Sequence, residues 1–196
     1  VALTPLVLRP RPQGSSLFTP ILHTETSAAN QTPALRLRFK GDKVFEVPTC
    51  NPSFTFIGDN QLFNYATAPF DEDLEVFSQN VHAAIEKTRK RTDLNLDNDR
   101  FLSLIYITSL PWVDFQSISH AFSGDPDDCF PRIAWGKITD QSTTDTPRFE
   151  TTVQITAHHA LVDGSHIGEF FQALEQKFNL SQPFDFTTGA NYQWPY

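Results

Sequence analysis

The chain is expected to fold as one α/β domain over residues 1–196, a mixed β-sheet covered by helices. Three observations carry that expectation. Its 196 residues match the length of one domain. Hydrophobic residues make up 39 % and charged residues 19 %, the balance of a chain that buries a core. Strand-like and helix-like periods interleave without regular βαβ alternation, which suits a mixed sheet. The 18 Phe point to Phe-rich packing or an aromatic-lined pocket.

The elements follow in order. Residues 1–19 are rich in Pro, Arg and Ser and read as a linker or exposed turn. Pro20 to Gln31 is a short helix with Pro20 in its first turn, ended by Pro33. Leu35 to Phe39 alternates apolar and basic residues, a half-buried strand; Gly41-Asp42 turns it, and Val44 to Val47 returns as the hairpin partner. Phe54 to Ile57 is a further short strand. Asp71 to Arg91 is the longest helix candidate, capped by Asp71, with Leu74, Phe77, Val81 and Ile85 on its buried face. Leu102 to Ile107 is a buried strand, and Asp125 to Asp128 a loop. Arg132 to Thr139 and Phe149 to Ala157 are strands joined by a polar turn from Asp140 to Pro147. Gly164 to Phe178 is a helix whose Ile167, Phe170, Phe171, Leu174 and Phe178 share one side, and the tail from Asn179 has no period.

Several function classes lose support at once. The net charge is −8, and the longest basic run, Lys87 to Arg91, is flanked by Glu86 and Asp93. It reads as a solvated helix end, where cations suit the macrodipole, and not as a nucleic-acid surface. No apolar run reaches the length of a membrane span. Two cysteines, Cys50 and Cys129, make no disulfide framework and read as reduced thiols of a cytoplasmic protein. The chain starts at Val1 and contains no Met, so an N-terminal part is expected to be missing, and a targeting segment or functional residues with it.

The chemistry-bearing segment is His158-His159-Ala160-Leu161-Val162-Asp163-Gly164, between a strand and a helix. Period two puts Val153, Ile155, Ala157 and His159 on one face and Gln154, Thr156 and His158 on the other, so the two histidines serve different surroundings. Three readings compete on the residues alone. One imidazole can be a general base, since its ordinary pKa lies near neutrality, with Asp163 organising the turn. His159, Asp163 and His166 can hold a metal, although Asp163-Gly164 interrupts the helix they would share. Or a satisfied histidine and a helix-capping Asp163 can be purely structural.

HHALVDG resembles the HHxxxDG signature of the chloramphenicol acetyltransferases, shared by the acyltransferase cores of 2-oxo acid dehydrogenase complexes. Leu110-Pro111-Trp112-Val113-Asp114-Phe115-Gln116-Ser117 is similar to the first family's Pro-Trp-Val-x-Phe-x-Ser stretch. Phe130-Pro131-Arg132-Ile133-Ala134-Trp135-Gly136-Lys137 is similar to its Pro-x-x-x-x-Gly-Lys strand. Weaker similarity runs back to about Val1. The resemblance implies a two-layer sandwich and an antibiotic-resistance type of acetyltransferase. By it, His159 takes a proton from a hydroxyl that attacks acetyl-CoA directly in a ternary complex. Ser117 donates to the oxyanion, Asp163 supports the loop, Lys137 lies near the CoA phosphates, and Phe63 lines the acceptor pocket. It further implies a homotrimer with sites between subunits, and no metal. A lipoyl acyltransferase core and a non-catalytic small-molecule-binding homologue are the alternatives.

The match departs from the family at named places. The family's N-terminal segment, with the Arg that pairs with the signature Asp, has no counterpart. Asp128 and Cys129 stand where the family's acceptor pocket has aromatic residues, Ala134 where Thr is common, and Ile138 where Tyr is common. Polar groups stranded against an apolar acceptor are costly, which argues against chloramphenicol itself and leaves the acceptor as a chloramphenicol-like or another small hydroxyl compound.

Overall fold

Pro5 opens helix α1 (Thr4–Val7) at a position where its missing N–H costs no helical bond. Leu3 and Leu6 are fully buried there, the Val1 amino group donates to the Thr151 carbonyl at 2.7 Å, and the Leu3 N–H donates to the Phe149 carbonyl at 2.8 Å. The start of the chain is therefore packed against the core and is not the linker its Pro and Arg content suggested. The computed structural model describes residues 1–11, 15–59, 61–90, 102–121, 124, 125 and 127–180.

Helix α2 (Phe18–Gln31) begins two residues before Pro20 and is buried almost all round, although its sequence carries no continuous apolar stripe. Its hydroxyls explain how: Thr24 donates to the Pro20 carbonyl at 2.8 Å and Thr26 to the Leu22 carbonyl at 2.7 Å. Back-bonded to the preceding turn, they bury no unpaired donor.

A 3-10 turn (Pro33–Arg36) leads into the hairpin of β1 (Leu37–Lys40) and β2 (Lys43–Glu46), turned at Gly41, whose φ of 57° favours glycine. The expected alternation is inverted here. Arg38 is fully buried while Leu37 and Phe39 are half-buried. Its guanidinium has five N–H donors. They reach the carbonyls of Leu35, Leu37, Leu102 and Leu104 at 2.7–3.0 Å and the Cys50 sulfur at 3.2 Å. A buried Arg is tolerable because every donor finds an acceptor. The arrangement ties the hairpin to the middle of the molecule.

Next come β3 (Asn51–Ile57) and β4 (Phe63–Thr67), an antiparallel pair; β4, carrying Phe63, was not anticipated. Helix α3 (Leu74–Thr88) is shorter than the expected span to Arg91. Its cap is Asp73, which accepts from the Glu75 and Val76 N–H groups; Asp71 accepts from the Asp73 N–H instead. Phe77, Val81 and Ile85 are buried as the helical period required, and Leu74 only partly.

Then follow β5 (Leu104–Ser109), β6 (Arg132–Trp135), the short pair β7 (Thr139–Asp140) and β8 (Phe149–Glu150), β9 (Val153–Thr156) and α4 (Gly164–Leu180). The two long strands expected at 132–139 and 149–157 are each broken in two. The Gly136 N–H turns to the Thr152 carbonyl at 3.0 Å and the Lys137 N–H to the Val113 carbonyl at 2.8 Å, which diverts the backbone from the ladder. Phe170, Leu174 and Phe178 of α4 are buried, as expected. The tail beyond Leu180 lies outside the described residues.

The main sheet has five strands in the order β4-β3-β5-β6-β9, mixed as expected: β3, β5 and β6 run parallel, and β4 and β9 run antiparallel at the edges. Helix α2 packs on β3 and β5, flanked by α3 and α4. Period two then divides the strands. Phe54, Phe56, Ile105 and Ile107 join the buried core, while Thr55, Tyr65, Tyr106 and Thr108 occupy the opposite face.

Candidate functional site

Strand β9 ends at Thr156, so the histidine pair sits in a turn and not on the strand. The Leu161 and Val162 N–H groups both donate to the His158 carbonyl at 3.0 Å, and their side chains are buried, which anchors the turn. His158 keeps the orientation that period two assigned: its ring meets Phe39 edge-on at 5.2 Å, and its Nδ1 accepts from the Ala160 N–H at 3.3 Å. His159 is exposed, and its Nδ1 lies 3.2 Å from the Val162 carbonyl. A carbonyl only accepts, so Nδ1 carries the proton and Nε2 keeps the lone pair.

Asp163 caps α4. Its Oδ1 accepts from the Ser165 hydroxyl at 2.7 Å, the Ser165 N–H at 2.8 Å and the His166 N–H at 3.4 Å. Those bonds, the Ser165 hydroxyl first, hold its carboxyl below the usual range. His166 Nδ1 in turn accepts from the Asp163 N–H at 3.2 Å, a capping box with imidazole in the place of Glu or Gln. Asp163 Oδ1 thus finds its partners within the turn. Among the described residues, no group of three or more His, Cys, Asp or Glu is placed to hold a metal ion, and no helix is long and apolar enough to cross a membrane.

The other two motifs meet each other. The Leu110 N–H donates to the Trp135 carbonyl at 2.9 Å, and the loop's Val113 carbonyl takes the Lys137 N–H. A Cβ on Gly136 would stand 2.8 Å from that carbonyl and 3.0 Å from the Phe115 ring, so the close approach requires glycine. Ser117 and Lys137 are both exposed. Phe63 is 55 % exposed on the edge strand, edge-on to Tyr65 at 6.2 Å.

A cavity of about 740 Å³ opens on the helix-free face of the sheet. Its aromatic walls are Phe39, Tyr65, Tyr106 and Phe130; Thr55, Thr108 and His120 add polar groups. Asp128 lines it too and takes both its oxygens to Arg132 at 2.7 Å. Cys129 does not: it is buried, and its sulfur accepts from the Phe39 N–H at 3.1 Å. Ser117, Phe63 and Lys137 are not among the lining residues, whereas Thr108 is. The sequence reading missed Thr108, His120 and Tyr106. Period two along β5 and β6 was the signal that could have placed Tyr106, Thr108 and Arg132 on one face.

The register separates the two motif-bearing turns. Ser109 pairs with Trp135, and Trp135 with Val153; Thr156 pairs with Arg132. The loop to Ser117 therefore leaves the sheet at one end, and the turn bearing His159 leaves at the other.

The sequence model of the chloramphenicol acetyltransferase family matches residues 7–175. Chloramphenicol acetyltransferase 3 of Escherichia coli is 26 % identical over 164 residues, which are 83 % of this chain and 75 % of the relative. The Bacillus pumilus enzyme is 28 % identical over 148 residues, 75 % of this chain and 66 % of the relative. In structure the chain is similar to a chloramphenicol acetyltransferase, with a TM-score of 0.69 and 23 % identity, covering 82 % of this chain and 77 % of that one. The Azotobacter vinelandii dihydrolipoamide acetyltransferase gives 0.61 at 12 % identity, over 84 % of this chain and 68 % of that one. At these identities the structural likeness is one of fold. The family match takes in the turn at His159, the capped helix and the Gly136 contact: the chain belongs to the chloramphenicol acetyltransferase family.

Proposed function

We infer that the chain is an acetyl-CoA-dependent O-acetyltransferase with His159 as general base. The observation that carries this reading is the imidazole itself, exposed, with Nδ1 committed to the Val162 carbonyl and Nε2 left as acceptor. In a ternary complex Nε2 takes the proton of an acceptor hydroxyl as its oxygen attacks the thioester carbonyl of acetyl-CoA. The tetrahedral intermediate collapses with cleavage of the C–S bond, and the imidazolium returns the proton to the departing thiolate. Neither step calls for a metal. Asp163 supports the turn through α4, and Lys137 stands exposed for the CoA phosphates.

The oxyanion needs an uncharged donor. Ser117 is the one the motif proposes; Thr108 is a second, supported by its place in the cavity. Phe63, next to Tyr65, is proposed as an acceptor contact from the sheet edge.

Active sites between the copies of a homotrimer are part of the same reading. Two observations support them. His159 faces solvent at one end of the sheet, and the Ser117 loop starts from the other. A cytoplasmic location fits two buried thiols that form no disulfide.

The test is CoA thiol release with chloramphenicol and a panel of alcohols and amines, for native protein and His159→Ala. A general base contributes about 10²–10⁴-fold, so the variant is expected to lose at least a hundredfold in rate. Turnover that survives His159→Ala overturns the mechanism.

A further inference from the structure

The cavity has one wall that the reaction above does not use. His120 lines it, yet both of its ring nitrogens are shielded from solvent and have no hydrogen-bond partner. Burial, and then the charge of Arg132, lower its pKa, so the ring is a neutral imidazole with one donor and one acceptor to satisfy. Buried polar groups without partners are rare enough to need a reason. Because χ2 of His is a broad torsion, a turn of the ring would present a nitrogen to the cavity it lines.

The surroundings narrow what that occupant is. Arg132 Nη2 donates to both oxygens of Asp128, and its guanidinium lies 5.6 Å over the Tyr106 ring; Lys40, Asp125 and Asp127 line the cavity as well. With the Arg132 charge compensated by Asp128 and charges of both signs elsewhere on the lining, no single net charge is favoured, so the cavity suits a neutral molecule. Phe39, Tyr65, Tyr106 and Phe130 supply apolar faces for a ring, and Thr55, Thr108 and the tyrosine hydroxyls supply hydrogen bonds between them. The volume of about 740 Å³ is that of a site for one small organic molecule.

We propose that the acceptor is a neutral, multiply hydroxylated ring molecule, and that His120 selects it by exchanging a hydrogen bond with one of its hydroxyls. The proposal rests on the acetyltransferase reading for the word acceptor, and on the cavity alone for the selection.

The probes are phenyl β-D-glucopyranoside, which offers hydroxyls around a ring, and chloramphenicol, which offers an apolar nitrophenyl face. Their dissociation constants are measured by calorimetry for native protein, His120→Leu and His120→Gln, with thiol release alongside. The expected result is at least tenfold weaker glucoside binding in His120→Leu, with chloramphenicol unchanged or tighter, and most of the glucoside affinity kept in His120→Gln. A glucoside-to-chloramphenicol ratio that His120→Leu leaves unchanged overturns the assignment, as does native protein that does not bind the glucoside. Binding needs no turnover. Selective binding without thiol release overturns the acetyltransferase reading and supports His120; thiol release without the selectivity does the reverse.

Discussion

Two residues on helices and strands, and not in the signature, make the sharpest demands on experiment. Thr108 lines the cavity and Ser117 does not, so the two hydroxyls separate cleanly by substitution. Losing one oxyanion donor costs about 10²–10³ in kcat. If the donor lines the cavity, Thr108→Val shows that loss and Ser117→Ala shows little; if the motif serine is the donor, the pattern reverses, with KM nearly constant for both. Glu25 is the other. It is fully buried in α2, and neither carboxylate oxygen has a partner. Burial raises its pKa well above the usual carboxylate range. Because the folded-state pKa is the higher one, its stability contribution is complete below about 4.5 and is lost as pH rises through the folded value. Melting temperatures across pH 4 to 9 should fall more steeply for native protein than for Glu25→Gln. Glu25→Leu should be more stable at pH 8 by about 1–3 kcal/mol, the cost of an unmade buried polar group.

Elements show how local rules and packing share control. Asp163 at the start of α4 is a cap that residue type suggests, whereas at α3 the sequence points to Asp71 and the fold uses Asp73. Helix α2 and the hairpin strand β1 were less readable. Their buried Thr and Arg obey no apolar period, because back-bonding and a cage of carbonyls satisfy them instead, and the buried Glu25 has no such partner. At the junction of β6 with the loop from β5, Gly136→Ala is expected to force the Val113 carbonyl aside, since an added Cβ would lie 2.8 Å from it. Overpacking of this sort costs about 1–3 kcal/mol. Thermal melting should report that loss, and acetyl transfer should fall with it. An unchanged melt and rate would show that the loop is free to yield.

For the whole molecule, the decisive matter is that the Ser117 loop and the His159 turn leave the sheet at opposite ends, while the cavity reaches from Thr108 to Phe39 beside His158. In the proposed homotrimer the cavity of one copy receives His159 of another, so inactive partners are expected to rescue one another. Co-expressed His159→Ala and Thr108→Val chains should recover a measurable fraction of native activity, because some interfaces combine an intact His159 with an intact Thr108. No recovery, with mixed assemblies confirmed by mass spectrometry, would place the site within a single chain. Periodicity and residue type were enough to determine a mixed α/β fold, the main helices, and a histidine turn ahead of a capped helix. Those features depend on neighbours within a few residues, which the sequence displays directly. Tertiary structure alone decided which hydroxyl reaches the cavity, why Arg38 and Glu25 are buried, and how the histidine turn stands away from the motif loop. Each of these depends on strands brought together from distant parts of the chain. The turn at His159 was thus legible as a candidate site, while the cavity proposed for its acceptor was not. Thr108, His120 and Arg132 become neighbours only when β5, β6 and the loop between them assemble.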